Sequence, residues 1–308
     1  MSHRPFEIQL TRRHLMFAAA ALAIAGEAGS VSAQGQEIVP ADVAPKDVYT
    51  FLVCGLDTRV VEEPENTDVM MVSRVDVANG TVRSMSFPRD LYLEIPGVGL
   101  DKINRAYDYG SKANDHDWNA GVALMEQTFE HNFGIEIDAV ISTNFKGLPK
   151  VIDALGGVDV ENPYDLYDAQ YPTEDYGVKE IFYPGGSLHL DGEQALEFGR
   201  TRHQDGDDGR VMRQQLILSG LLEKAQEPVN ADQLADLVEA TRDGVTTNIP
   251  QAVQEHLIDA VEAIDPANVV WGTMTEYLWG DTTASGMWVY QADWSMLPGY
   301  IQGWLAGE

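Results

Sequence analysis

The chain has 308 residues, with 20 lysines and arginines against 49 aspartates and glutamates, a formal net charge of −29. So acidic a protein lacks the basic face with which a nucleic-acid binder displaces counterions, and the polybasic patch that adsorbs to anionic membranes. Hydrophobic residues make up 44%, enough to build a core, and the single cysteine, Cys54, excludes an intramolecular disulfide and a multi-cysteine metal cluster.

The first residues read as an address. Arg12 and Arg13 precede an apolar run over 18–26, and Val31-Ser32-Ala33 offers a small-residue cleavage site before Gln34. That is the layout of a secretory signal, and the paired arginines resemble a twin-arginine export signal. The apolar run is short of the roughly 20 residues that cross a bilayer as a helix. The expected boundaries are a signal over 1–33, a linker over 34–48 with Pro40 and Pro45, and one folded domain over 49–308. An uncleaved membrane anchor is the rival reading of the first segment. A lipoprotein anchor is excluded, because no cysteine lies near the cleavage site.

In the domain, the β-branched and aromatic run at 49–54 predicts a buried strand ending at Gly55. A second strand is expected over 68–75 and a third over 81–87, joined at Asn79-Gly80, the strongest short hairpin signal. Apolar spacing predicts a helix over 119–133, a strand over 139–142 and a helix over 145–155 closed by Gly156-Gly157. A strand begins at 158–160. Helices are expected over 192–198, 210–226, 231–243 and 250–264, with Pro228 as a stop signal. Strands over 269–274 and 286–290 and a helix over 294–305 complete the pattern. Strands and helices alternate, so the fold class is α/β, a three-layer α/β/α sandwich on a central mixed sheet.

Asp57 follows the first strand and Asp68 opens the second. Carboxylates at facing strand ends can share one hard cation such as Mg2+, although either Asp alone is ordinary turn chemistry. Arg89-Asp90 ends the third strand, where ligand sites of open α/β sheets lie. Its guanidinium can hold phosphate through its planar fork, or the two residues form a solvated ion pair.

The densest signal runs from Arg200 to Gln215. It places Arg200, Arg202, Arg210 and Arg213 within fourteen residues, four of the chain's thirteen arginines. Arg200 and Arg202 share a face if their segment is extended, and Arg210 and Arg213 share one if Arg210 opens a helix. Such a cluster in so acidic a chain points to an anionic ligand, for which pyrophosphate is suitable. The rival is an ion-pair network with Asp205, Asp207 and Asp208. His203 lies beside these arginines. The chain has no HExxH, G-x-S-x-G, P-loop or GxGxxG. Cys54 sits in an apolar strand and reads as inert core. Trp271, Trp279, Trp288, Trp294 and Trp304 read as core packing before a sugar-stacking face.

Several segments in order resemble the LytR-CpsA-Psr family of cell-envelope proteins. They are GLDTR (55–59), NTDVMMVSRV (66–75), SFPRDLYLEIPG (86–97), DKINRAYDYG (101–110), NFKGLPKVIDALGGVDVENP (144–163), YPGGSLHLDGEQALEFGRTRH (183–203) and DDGRVMRQQ (207–215). These motifs fall within 49–225, and the extension 226–308 resembles the family only in its helix–strand pattern.

The resemblance implies a metal-dependent phosphotransferase. It would move a glycopolymer from a polyprenyl-pyrophosphate carrier to a cell-wall acceptor, usually peptidoglycan, through a phosphodiester. Asp57 and Asp68 match the metal-binding carboxylates. Mg2+ is the expected cofactor, and Mn2+ accepts the same oxygens. Arg89 and Asp90 match the P-R-D motif. Arg200, Arg202, Arg210, Arg213 and Gln214 match the pyrophosphate-binding cluster, with Asp207 beside it. Lys102, Asn104 and Arg105 match a segment near the head group. The implied catalytic set is Arg89, Asp90, Asp207 and Arg210, and the lipid would lie in an apolar tunnel between sheet and helices. Asp208 departs from the pattern, since the residue after Asp207 is usually apolar. The expected place is the extracytoplasmic face of the envelope, with membrane contact only through the lipid substrate or an uncleaved N-terminus. Two rivals share the motifs: a polyprenyl-pyrophosphate phosphohydrolase with water as acceptor, and a non-catalytic envelope lipid or glycan binder.

Overall fold

The apolar run at 49–54 forms the middle of β1 (Val48–Leu56), whose residues alternate between two apolar environments. A period-2 strand buried on both faces occupies the centre of a sheet. The computed structural model describes residues 45–56, 65–144, 147–173, 177–224, 244–250 and 268–308, with isolated residues between 233 and 264. The expected signal, Asp57, and most of the helices expected over 231–243 and 250–264 lie outside the described residues.

After β1 come β2 (Thr67–Asp76) and β3 (Thr81–Ser86), then a hairpin of β4 (Tyr92–Ile95) and β5 (Gly99–Lys102). A 3-10 turn over Ile103–Arg105 leads to α1 (Ala106–Lys112) and α2 (Trp118–Phe133). β6 (Ala139–Asn144), α3 (Gly147–Ala154), β7 (Val158–Asn162), β8 (Leu166–Pro172), β9 (Val178–Tyr183) and β10 (Gly186–Leu190) follow. α4 (Gly192–Arg200) and α5 (Gly206–Lys224) carry the arginine segment. Then come β11 (Val245–Thr247), β12 (Val269–Gly272), β13 (Leu278–Thr282), β14 (Trp288–Ala292) and α6 (Leu297–Ala306).

The central sheet has the order β11-β6-β1-β2-β3-β12. β1 runs parallel to β6 and β3 parallel to β12, while the β1–β2, β2–β3 and β6–β11 pairs are antiparallel. The sheet is therefore mixed. The hairpin at Asn79-Gly80 has a four-residue loop, because Asp76 pairs in register with Thr81. The Asp76 carboxylate accepts from the Asn79 amide at 3.0 Å and from its side chain at 2.9 Å.

One sheet face, bearing Leu52, Cys54, Met70, Val72 and Met85, packs under α2 and α6. Phe129 and Phe133 of α2 meet Phe87 edge to face at 4.9 and 5.1 Å between centroids. Asp117 caps the start of α2, and Gly134, in the left-handed region at φ 64°, ends it. Burial in this core pushes the Cys54 thiol up to about 12, as an inert core cysteine requires. The opposite face carries α3, α4 and α5. With β7–β10 and β8–β9 these helices enclose a second core of Ile152, Val158, Leu166, Tyr183, Phe198 and Ile217. The expected three-layer α/β/α architecture in one domain is thus the observed one.

α5 begins at Gly206, one turn earlier than the sequence reading, so Arg210 lies inside the helix and does not open it. Asp207 and Asp208 then occupy the first turn, where carboxylates interact favourably with the helix dipole. The tryptophans divide. Trp271 donates to Ser219 at 3.0 Å, Trp294 lies 5.8 Å from Phe133 and Trp304 packs beneath Arg83. Trp279 and Trp288 are about half exposed. Among the described residues no helix is long and apolar enough to cross a membrane.

The Phe87–Phe129–Phe133 cluster predicts a large cavity cost. Phe129→Ala should destabilise the fold by about 3–5 kcal/mol, read as a lower denaturant midpoint.

Candidate active site

Asp68 stands near the start of β2, and the Pro88–Asp90 segment runs past it into β4. Arg89 donates to Asp68 Oδ1 at 2.7 Å and lies 3.5 Å from Asp90. Lys102 at the end of β5 reaches the same Asp90 at 2.6 Å. The β4–β5 hairpin delivers it there, since Ile103 donates to the Leu91 carbonyl at 2.8 Å and Asn104 to that of Arg89 at 3.3 Å.

The arginine segment is held by a different device. Asp191 and Gln194 form a capping box that starts α4, and Arg200 ends the helix. Thr201 turns to extended backbone, and α5 begins five residues later. Arg213 of α5 is fully buried and ties this corner together. Its Nε donates to the Phe198 carbonyl at 2.7 Å, its Nη2 to the Thr201 carbonyl, and Asp205 takes both terminal nitrogens. Gly209 makes room for that carboxylate, since a Cβ there would collide with Asp205.

The corner and the sheet enclose a cavity of about 410 Å3. Val53, Val69, Leu148, Leu196, Ile217 and Leu218 give it apolar walls. Asp68, Arg89, Arg200, Arg202, His203 and Arg210 line it as well. Arg89 from the segment after β3, Arg200 from the end of α4, Arg202 from the turn and Arg210 from α5 thus meet at one space.

Their electrostatics favour an anion. Burial depresses the Arg210 guanidinium, and the neighbouring charges of Arg89 and Arg202 depress it further against the pull of Asp207 and Asp68. Burial also acts against Arg89, but Asp68, Asp90 and Asp207 outweigh it and raise its value. The Nε atoms of both Arg89 and Arg210 are buried without a hydrogen-bond partner. Buried guanidiniums with unused donors, repelling one another across a cavity, gain when an anion enters.

The LytR_cpsA_psr family profile matches residues 19–297. The chain belongs to the LytR-CpsA-Psr family. It is 30% identical over 264 residues to the polyisoprenyl-teichoic acid–peptidoglycan teichoic acid transferase TagU of Bacillus anthracis, covering 83% of this chain and 78% of that protein. The crystal structure of B. subtilis TagV matches with a TM-score of 0.67 at 24% identity, over 85% of this chain and 99% of that one. That of B. subtilis TagU matches with a TM-score of 0.59 at 25% identity, over 84% and 97%. The expectation of a transferase enzyme is met by these LytR-CpsA-Psr relatives.

Within this LytR-CpsA-Psr fold the expected site residues fall into three groups. Asp68, Arg89, Arg200, Arg202, Arg210 and Gln214 line the cavity, and the Gln214 amide donates to the Gly199 carbonyl at 3.1 Å. Asp90, Lys102 and Asp207 stand behind the first group, with Asp207 2.7 Å from Arg210. That ion pair is not aligned as a hydrogen bond, and Asp207 Oδ1 is buried without one. The third group lies apart. Arg213 spends its fork on the corner, Arg105 lies over the Tyr109 ring 3.6 Å from Asp101, and Asn104 is buried beside β2. Asp208 is exposed. The ion-pair network expected with the aspartates is real for Arg213 and Arg210, whereas no carboxylate among the described residues pairs with Arg202.

The donor chemistry suits a hard cation. Arg89 takes Oδ1 of Asp68, and no described residue hydrogen-bonds its Oδ2. No group of three His, Cys, Asp or Glu is arranged around a metal among the described residues. Asp68 would thus supply one oxygen of a shell of the kind Mg2+ accepts when substrate phosphates complete it.

Two residues near the cavity escaped sequence reasoning. Asp168 is buried and receives His203 Nδ1 at 2.8 Å, and Tyr171 lies beneath Arg200 with 5.9 Å from guanidinium to ring centroid. Their one signal is an Asp at an inward position of an alternating strand, which is too weak alone.

The corner predicts its own test. Arg213→Met should lower stability by about 3–5 kcal/mol in chemical denaturation, because Asp205 and two carbonyls lose a buried partner.

Proposed function

We propose that the protein transfers a glycopolymer from a polyprenyl-pyrophosphate carrier to a cell-wall acceptor, peptidoglycan being the first candidate, and forms a phosphodiester. The observation that carries this is the cavity. Its apolar walls suit a prenyl chain, and Arg89, Arg200, Arg202 and Arg210 stand where a pyrophosphate joined to that chain would sit. The relative's name, a transferase from polyisoprenyl-linked teichoic acid to peptidoglycan, supports the same reading.

Asp57 and Asp68 would hold Mg2+, which when bound neutralises pyrophosphate charge. The four arginines spread their positive charge over the remaining oxygens and orient the phosphorus atoms. Asp90 or Asp207 accepts the proton of the acceptor hydroxyl. The hydroxyl attacks the sugar-side phosphorus, and prenyl monophosphate leaves. Positioning and charge neutralisation carry most of such a reaction. The site would act at the extracytoplasmic face, reached by the twin-arginine route.

Purified protein, a short-chain prenyl-pyrophosphate glycan and peptidoglycan fragments test this directly. Glycan covalently joined to the acceptor is the expected product, and free glycan phosphate alone would show a hydrolase. Asp68→Ala and Arg210→Ala should each lower the rate by at least about 100-fold. Chelation with EDTA should stop turnover and added Mg2+ restore it. Full transfer by Asp68→Ala or Arg200→Ala overturns the assignment.

A further inference from the structure

His203 lines the cavity beside Arg200 and Arg202 yet is not explained by pyrophosphate binding. Its Nδ1 lies 2.9 and 2.8 Å from the two oxygens of Asp168. Asp168 is buried, with 2% of its surface exposed, whereas the His203 side chain is about half exposed. The carboxylate also accepts from the Thr201 hydroxyl, and from the Gln170 amide at 2.8 Å. Burial alone would push the Asp168 carboxyl up, but the bonds from Thr201, Gln170 and His203 outweigh it and hold the group below its ordinary range. Asp168 is thus an ionised, fixed acceptor, and it assigns the Nδ1 proton of the imidazole. Nε2, on the opposite edge of the ring, remains for other chemistry. Besides His203 and Asp168, the charged and titratable groups lining the same cavity are Arg200, Arg202, Arg210, Arg89, Asp68, Tyr171 and Cys54.

We propose that His203, oriented by Asp168, donates a proton from Nε2 to the prenyl phosphate as it departs. The inference rests on the transfer reaction proposed above. The assignment to the leaving group follows from position. His203 shares the apolar-walled cavity, where the prenyl end would lie, whereas Asp90 and Asp207 stand behind Arg89 and Arg210. In the step, the acceptor oxygen bonds to the sugar-side phosphorus and its proton passes to Asp90 or Asp207. The bond from that phosphorus to the bridging oxygen breaks, and its electron pair stays on the bridging oxygen. The His203 imidazolium protonates that oxygen and becomes neutral. Water then returns the carboxylate's proton to the imidazole. Asp168 is a positioning residue, because it acts through His203.

Steady-state kinetics on the lipid-linked glycan separate this role from a structural one. His203→Gln should lower kcat by about 100-fold with KM little changed, the size expected of a lost general acid. Asp168→Asn should lower kcat as well, and the double variant should add little to His203→Gln alone. If Asp168→Asn does not fold, His203→Gln on a half-exposed ring still decides the matter. Unchanged kcat in His203→Gln, or a raised KM with kcat intact, overturns the donor role. A second measurement needs no turnover: in protein labelled with 15N-histidine, farnesyl pyrophosphate should shift the Nε2 signal that His203→Gln removes. An unmoved signal also overturns the proposal. Wild-type protein that turns over no lipid-linked glycan sinks the transfer reading itself, whereas wild-type turnover undiminished in His203→Gln sinks only the donor.

Discussion

The site depends on one buried guanidinium. Arg213 has no solvent exposure, and it donates to two backbone carbonyls and to the Asp205 carboxylate. A buried arginine is costly unless its donors are met, and here four bonds tie α5 to the end of α4 and to the turn between the two helices. That geometry fixes how the chain leaves α4. Arg200 and Arg202 are carried on the short stretch between the Phe198 and Thr201 carbonyls and Asp205, and they face the cavity because the stretch cannot relax. In the proposed function Arg213 would therefore serve anion binding without touching the anion.

The same segment shows why identical residue types have different roles. Arg213 and Arg210 sit three apart on one helix and share its buried side. Arg213 turns toward α4 and finds backbone carbonyls. Arg210 turns toward the cavity and finds Asp207 together with the like charges of Arg89 and Arg202. Four hydrogen bonds make the first a bolt, whereas the second keeps donors that a ligand could use. The unmet Nε atoms of Arg89 and Arg210 are tolerable only where water or a ligand can reach the group's other nitrogens.

Much of the scaffold was legible because burial imposes a period. The runs at 49–54 and 68–75, and the helix over 119–133, lie within two or three residues of the observed elements, since each packs an apolar stripe on the main core. The ribbons β8–β9 and β4–β5 were missed. They alternate with charged and exposed residues such as Tyr167, Phe182 and Leu100, and their pairing, not their composition, makes them strands. The arginine cluster was legible as chemistry but not in its division of labour, since spacing alone does not say which fork meets carbonyls. Asp168 was beyond reach. It lies 35 positions from His203, and only the fold of β8 against the end of α4 brings them together. Asp57 was read from the sequence and stays there, outside the described residues.

The net charge of −29 takes on a direction in this geometry. Apolar walls and four arginines line the cavity, and Asp90 and Asp207, which do not line it, pair with Arg89 and Arg210, with Asp208 exposed next in the chain. Tyr290 feels the same carboxylates: burial raises its phenol, and Asp208, Asp207 and Asp90 raise it further. In the proposed reaction a pyrophosphate held by the arginines would be repelled by these carboxylates if it moved past Arg89 and Arg210, and that repulsion would limit its travel. A neutral sugar hydroxyl would meet no such barrier and would find a proton acceptor there. In-line displacement requires the acceptor and the leaving group on opposite sides of the phosphorus. In the proposed reaction the order of apolar wall, guanidinium and carboxylate would supply that polarity with fixed charges, and an acidic protein would handle a phosphate substrate by keeping its acids on the acceptor side.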